Sequence, residues 1–124
     1  MKRGVLISTL LTLTLSGAAQ ATDSDSVTAG QRLFYDTDCV GCHDATKDQS
    51  HIGMGPSQAT IAKIYQGRKE DLIEFMRHKK GPEIDPDNYM IMELQIFTLL
   101  FGRSDSAFDA LASYLLAQPQ QEEP

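Results

Sequence analysis

Only two cysteines occur in this 124-residue chain, three positions apart at Cys39 and Cys42. No thiol is left over for a second bridge or a separate metal cage. Cations are also scarce, 11 against 17 acidic residues, which argues against nucleic acid as a partner. No alternating strand pattern precedes the cysteines, there are no internal repeats, and nothing resembles a nucleophile–base pair. Beyond the N-terminus no stretch is long and apolar enough to cross a bilayer.

Residues 1–21 read as a secretory signal peptide. Lys2 and Arg3 form a positive start, Val5 to Leu15 is an apolar region, and Ala19-Gln20-Ala21 is a small-x-small cleavage site. An uncleaved N-terminal anchor is the competing reading. Either way the folded part is expected outside the inner membrane, in the periplasm, with no stable span once the signal is removed. The remaining 103 residues form one small domain, which needs a staple beyond its own core. Without Lys2 and Arg3, 9 basic residues face 17 acidic ones, a formal net charge of −8. That balance suits a positively charged redox partner or solubility alone.

What the chain does have is Cys39-Val40-Gly41-Cys42-His43, the C-x-x-C-H attachment signature for c-type haem. Two sulfurs add to the vinyl groups as thioethers, and His43 supplies the proximal iron ligand. One helical turn brings positions i and i+3 to the same side, so both sulfurs reach one edge of the macrocycle. A thioredoxin-like C-x-x-C needs a βαβ setting that is not seen. A zinc site would have to draw on Cys39, Cys42, His43 and His51, and a plain disulfide leaves His43 unexplained. Covalent haem would serve as the staple.

The rest of the pattern is all-α. Residues 22–27 read as a polar, flexible lead-in and Thr28 as an N-cap, opening a short helix from Ala29 to Tyr35. Gly30 and Phe34 share its face. Asp44 to Gly55 reads as loop, Gln58 to Tyr65 as a helix, and Lys69 to Lys79 as another ended by Gly81-Pro82. Tyr89 to Phe101 reads as loop carrying into helix. A last amphipathic helix runs from Ser104-Asp105 to about Ala117, and 119–124 is a polar tail.

With the motif after a first short helix and before a closing amphipathic one, residues 28–118 resemble a class I cytochrome c. Gly30, Phe34, Cys39, Cys42 and His43 look like its opening G-x-x-x-F/Y-x-x-x-x-C-x-x-C-H, and Ala112, Tyr114 and Leu115 like its closing L-A-x-Y-L. The resemblance implies four or five short helices wrapped around one covalently bound haem, with first and last helices crossing where Gly30 meets Tyr114. It also implies that the Pro56 carbonyl accepts a hydrogen bond from His43 and so orients the ligand.

Four methionines compete for the distal iron position. Met54 lies close to the motif, and Met76 sits at core spacing in a helix. Asp85 to Gln95 is similar to a family stretch D-P-x-x-F-x-x-M-x-P-Q, which makes Met92 the ligand and Met90 the second choice. His78, at a basic helix end with Arg77, Lys79 and Lys80, is a weaker candidate. Ile96 to Phe101 is more apolar than the resemblance accounts for and is read as core, with a partner surface as the alternative. The expected function is a single-electron carrier, not an enzyme, with a haem subunit of a larger oxidoreductase complex or an open-site haem sensor or peroxidase as alternatives.

Overall fold

The computed structural model describes residues 23–48, 55–84 and 86–119. The signal-like segment, His51, Met54 and nearly all of the polar tail lie outside them. Five α-helices follow one another: α1 (Asp23–Asp36), α2 (Gln58–Ile64), α3 (Lys69–Met76), α4 (Tyr89–Leu100) and α5 (Asp105–Leu116). Short 3-10 turns occupy Cys39–Gly41 and Pro86–Asn88, and no strand occurs among the described residues.

The helix starts follow from local chemistry. Ser57 accepts from the Thr60 amide at 3.1 Å and Ser104 from the Ala107 amide at 3.3 Å, so each caps the helix it precedes. α1 begins earlier than expected. Residues 23–27, read as a flexible lead-in, are helical, and Thr28 lies inside the helix instead of capping it. Asp23 and Asp25 in the first turn suit the helix dipole. Ser26 reaches Ser113 of α5 at 3.2 Å, so a polar segment is tied down by the far end of the chain.

α3 ends earlier than Gly81-Pro82 would have it. The His78 amide bonds to the Phe75 carbonyl at 3.0 Å and the Lys79 amide to Glu74 at 2.8 Å, a Schellman closure. Its left-handed position is filled by His78, at φ 58°, and not by a glycine. The basic cluster beside it is largely paired. Arg77 bridges to Asp105 at 2.6 Å and lies over the Phe108 ring, and Lys80 contacts Asp71 and Glu74.

α1 and α5 pack directly on each other. Gly30 allows it, because a Cβ there would stand 2.5 Å from the Ala110 carbonyl carbon and 2.7 Å from Tyr114 Cβ. One turn on, the Phe34 and Tyr114 rings meet at 5.3 Å between centroids. Leu72, Ile73 and Met76 of α3, Ile61 of α2 and Leu111 and Leu115 of α5 complete the buried side chains around this pair. α4 is different. Its inner side chains Ile96 and Leu100 are buried, but its backbone does not pack closely against that of another helix. An apolar pocket lies between α4 and the rest of the fold.

Candidate functional site

α1 delivers the chain to that pocket. Asp38 turns left-handed at φ 56°, and the chain bends into Cys39–Gly41. The amides of Cys42 and His43 both donate to the Cys39 carbonyl, at 3.2 and 3.0 Å. Cys39, Cys42 and His43 thereby line one pocket. Both thiols are free and half-buried, with Cys39 Sγ 3.1 Å from the Thr37 hydroxyl. Burial pushes the Cys39 thiol up, against the Thr37 hydrogen bond.

The main chain after the motif is held over four consecutive carbonyls. Cys42 accepts from the Gly55 amide at 3.0 Å, His43 from the Gln58 side-chain amide at 3.1 Å, Asp44 from the Gln58 amide at 2.8 Å and Ala45 from Ala59 at 3.1 Å. Gln58 Oε1 in turn accepts from the Tyr114 hydroxyl at 2.8 Å. Gln58 is 1 % exposed, so this amide links the α1–α5 pair to the main chain of His43 with no water between.

The His43 ring is buried, and its Nδ1 is 2.7 Å from the Pro56 carbonyl. A carbonyl only accepts, so Nδ1 carries the proton and the Nε2 lone pair is free for a metal. Burial pushes the imidazole pKa down, with the Pro56 contact working the other way. Gly55 lets the ring lie against the backbone, since a Cβ there would be 2.8 Å from Nδ1.

Asp48 braces the same segment. Its carboxylate accepts from the Ser57 amide at 2.7 Å and the Thr60 hydroxyl at 3.0 Å. Desolvation raises this pKa, but the hydrogen bonds outweigh it and hold the carboxyl below its ordinary range. A lowered folded-state pKa adds stability that is present above the unfolded value and lost as pH falls through the folded one. Asp48→Ala is therefore expected to cost about 1 kcal/mol at neutral pH and almost nothing in strong acid. Thermal melts at both pH values check this, and an equal loss at both would rule out the carboxylate as the cause.

The opposite wall comes from α4. Tyr89, Ile91, Met92, Ile96 and Leu99 line the pocket, whereas Met90 is 80 % exposed and does not. Both methionines were expected on a loop, but both lie in the helix, and two positions of rotation separate inside from outside. Met76 is buried in α3 and also lines the pocket. His78 does not line it, and its Nδ1 is 3.8 Å from Glu93 instead.

These groups fit a haem: two free thiols one turn apart, an oriented imidazole with an open Nε2, a flat glycine beside it and apolar walls. The model of the family described as Cytochrome c matches residues 27–119. The chain belongs to the cytochrome c family. This makes it a haem-binding c-type cytochrome, with Cys39, Cys42 and His43 fitting the attachment motif, and sets it among electron-carrying proteins. Relatives named Photosystem II extrinsic protein V are similar to it. That of Nostoc punctiforme (strain ATCC 29133 / PCC 73102) is 25% identical over 114 residues, 87% of this chain and 69% of the relative. That of Trichormus variabilis (strain ATCC 29413 / PCC 7937) is 27% identical over 100 residues, 76% of this chain and 61% of the relative. This c-type cytochrome thus spans about two thirds of those relatives' length. None of its described helices is long and apolar enough to cross a membrane.

Two parts of the site were not found from sequence, Gln58 and Asp48. An amide on the apolar side of a short helix was the one available signal for Gln58.

Proposed function

We propose that this cytochrome is an exported single-electron carrier, acting in the periplasm, whose one haem is held through Cys39 and Cys42 and ligated by His43 and Met92. Bound haem supplies an iron that takes up and releases one electron. His43 would present Nε2 to it while Pro56 holds the proton on Nδ1, keeping the ring neutral and fixed. Met92 would present a thioether, which favours the ferrous state and raises the potential. Ile61, Tyr65, Leu72 and Leu99 exclude water from the site. The observation that supports this reading best is the split between the two α4 methionines: Met92 faces the pocket that holds His43, and Met90 faces out.

Absorption spectra of the haem-loaded protein in both redox states test it. The ferric sulfur-to-iron charge-transfer band is expected in the wild type and in Met90→Ala, and its loss in Met92→Ala. A high-spin wild-type spectrum that shifts on adding carbon monoxide would overturn the ligation and favour a sensor or peroxidase. A second reading, a haem subunit docked to a larger assembly, draws on the relatives' name, which describes an extrinsic protein of photosystem II. A docking face of positive partners would complement the net negative charge in either case.

A further inference from the structure

α4 is apolar on all sides. Glu93 is its single charged residue, in Tyr-Met-Ile-Met-Glu-Leu-Gln-Ile-Phe-Thr-Leu-Leu. A helix of that kind is normally covered all round. Its inner face closes the haem pocket, yet its outer face is open. Met90 is 80 %, Leu94 62 %, Phe97 56 % and Phe101, just past the last turn, 76 % exposed. These positions are spaced i, i+4, i+7 and i+11, so they form one stripe about 16 Å long. The Phe97 and Phe101 rings touch at 5.2 Å between centroids.

We infer that this stripe is a homodimer interface, in which α4 packs antiparallel on α4 of a second copy. Three observations select a second copy. The first is area. At roughly 200 Å² per large side chain, the exposed fractions amount to about 550 Å² per copy and about 1,100 Å² in a symmetric pair, just above what a specific interface needs. The second is charge. Exposed Asp87 precedes the helix and exposed Arg103 follows it. In an antiparallel pair centred between Leu94 and Phe97, Arg103 comes within one residue of the second copy's Asp87, twice by symmetry. Glu93 then faces the second copy's Thr98 and not its Glu93. The third is shape. A shallow groove lined by His78, Met90, Glu93, Leu94 and Phe97 lies where the second copy's Phe101 arrives. Repulsion between two acidic bodies is screened beyond about 8 Å at physiological salt, and the contact itself is close to neutral. The inference rests on the reading in which Met92 faces the pocket and Met90 faces out.

Sedimentation equilibrium of the haem-loaded mature protein, followed at the haem absorbance, tests it. The wild type is expected to show a concentration-dependent monomer–dimer equilibrium with a micromolar dissociation constant. Phe97→Glu or Leu94→Gln should weaken it by at least about tenfold with an unchanged absorption spectrum, because both side chains point outward. Arg103→Asp should weaken it as well, and adding Asp87→Arg should restore it. A protein that stays monomeric to about 500 μM, with or without affinity for anionic lipid vesicles, overturns the inference. So does a dimer that Phe97→Glu leaves intact, or a charge exchange that fails to restore pairing.

Discussion

Gly30→Ala is expected to destabilise the protein by more than about 3 kcal/mol, a large share of what a domain of this size has. By propensity alone the change should help, since alanine is favoured over glycine inside a helix by about 1 kcal/mol. Sterics decide the sign. The new methyl would stand 2.5 Å from the Ala110 carbonyl carbon and 2.7 Å from Tyr114 Cβ, and its nearest neighbour of all is the Ala110 carbonyl oxygen. Those atoms belong to the backbone and the first carbon of a helix, so no rotamer change clears them. α1 and α5 have to part, and with them the Phe34–Tyr114 contact and the turn that delivers Cys39. Gly81→Ala is the control. Nothing lies within 4 Å of a Cβ there and its φ is not positive, so a change of less than about 0.5 kcal/mol is expected. Thermal unfolding of both variants, with the yield of haem-loaded protein, measures the difference. Equal melting temperatures would mean that the α1–α5 contact can separate at little cost.

How much of this was legible before the structure depends on which interaction decides each residue. Cys39, Cys42 and His43 match an attachment motif of fixed spacing, and the helix starts at Ser57 and Ser104 follow from a hydrogen bond three residues long. Such features can be read locally. The Pro56 carbonyl beside His43 and the meeting of Gly30 with Tyr114 came from the family pattern, and both are present. The errors have tertiary causes. Asp23 to Val27 looks like a solvated lead-in until Ser26 is seen to reach Ser113, 87 residues away. α3 stops at Met76 because His78 takes up the left-handed turn, and no glycine marks the place. α4 defeats periodicity because both faces are apolar, one toward the pocket and one outward. Residues 96–101, expected to be core, divide accordingly: Ile96 and Leu100 are buried, and Phe97 and, just past the helix, Phe101 are exposed. The choice between Met90 and Met92 rests on that same rotation.

Gln58→Leu is expected to be nearly as damaging as the glycine substitution, for a polar reason. The side chain is enclosed and makes two hydrogen bonds, from its amide to the His43 carbonyl and from the Tyr114 hydroxyl to its Oε1. Leucine fills the space and satisfies neither. The buried His43 carbonyl is left without a partner at about 1–3 kcal/mol, and the Tyr114 hydroxyl loses its acceptor and keeps only Tyr35 beside it, so a loss of about 2–4 kcal/mol is expected. Burial, with Tyr35 nearby, raises the Tyr114 pKa, which keeps the hydroxyl protonated as the donor. Tyr114→Phe orphans only Oε1, and in the double variant the phenol is gone too. The double variant should therefore lose less than the two single losses combined, with a coupling of about 1 kcal/mol. Stability alone does not separate a core role from one that positions His43, the proposed iron ligand. The reduction potential does. With the His43 carbonyl released, the hydrogen bond from Nδ1 to Pro56 loosens, the ring becomes a weaker donor to iron, and the potential of Gln58→Leu should rise while that of Tyr114→Phe rises less. A Gln58→Leu protein that is less stable but keeps the wild-type potential would confine the amide to packing. A shift that follows the loss of the Gln58–His43 bond would make it part of the ligand's support, reaching from α5 through α2 to the main chain of His43.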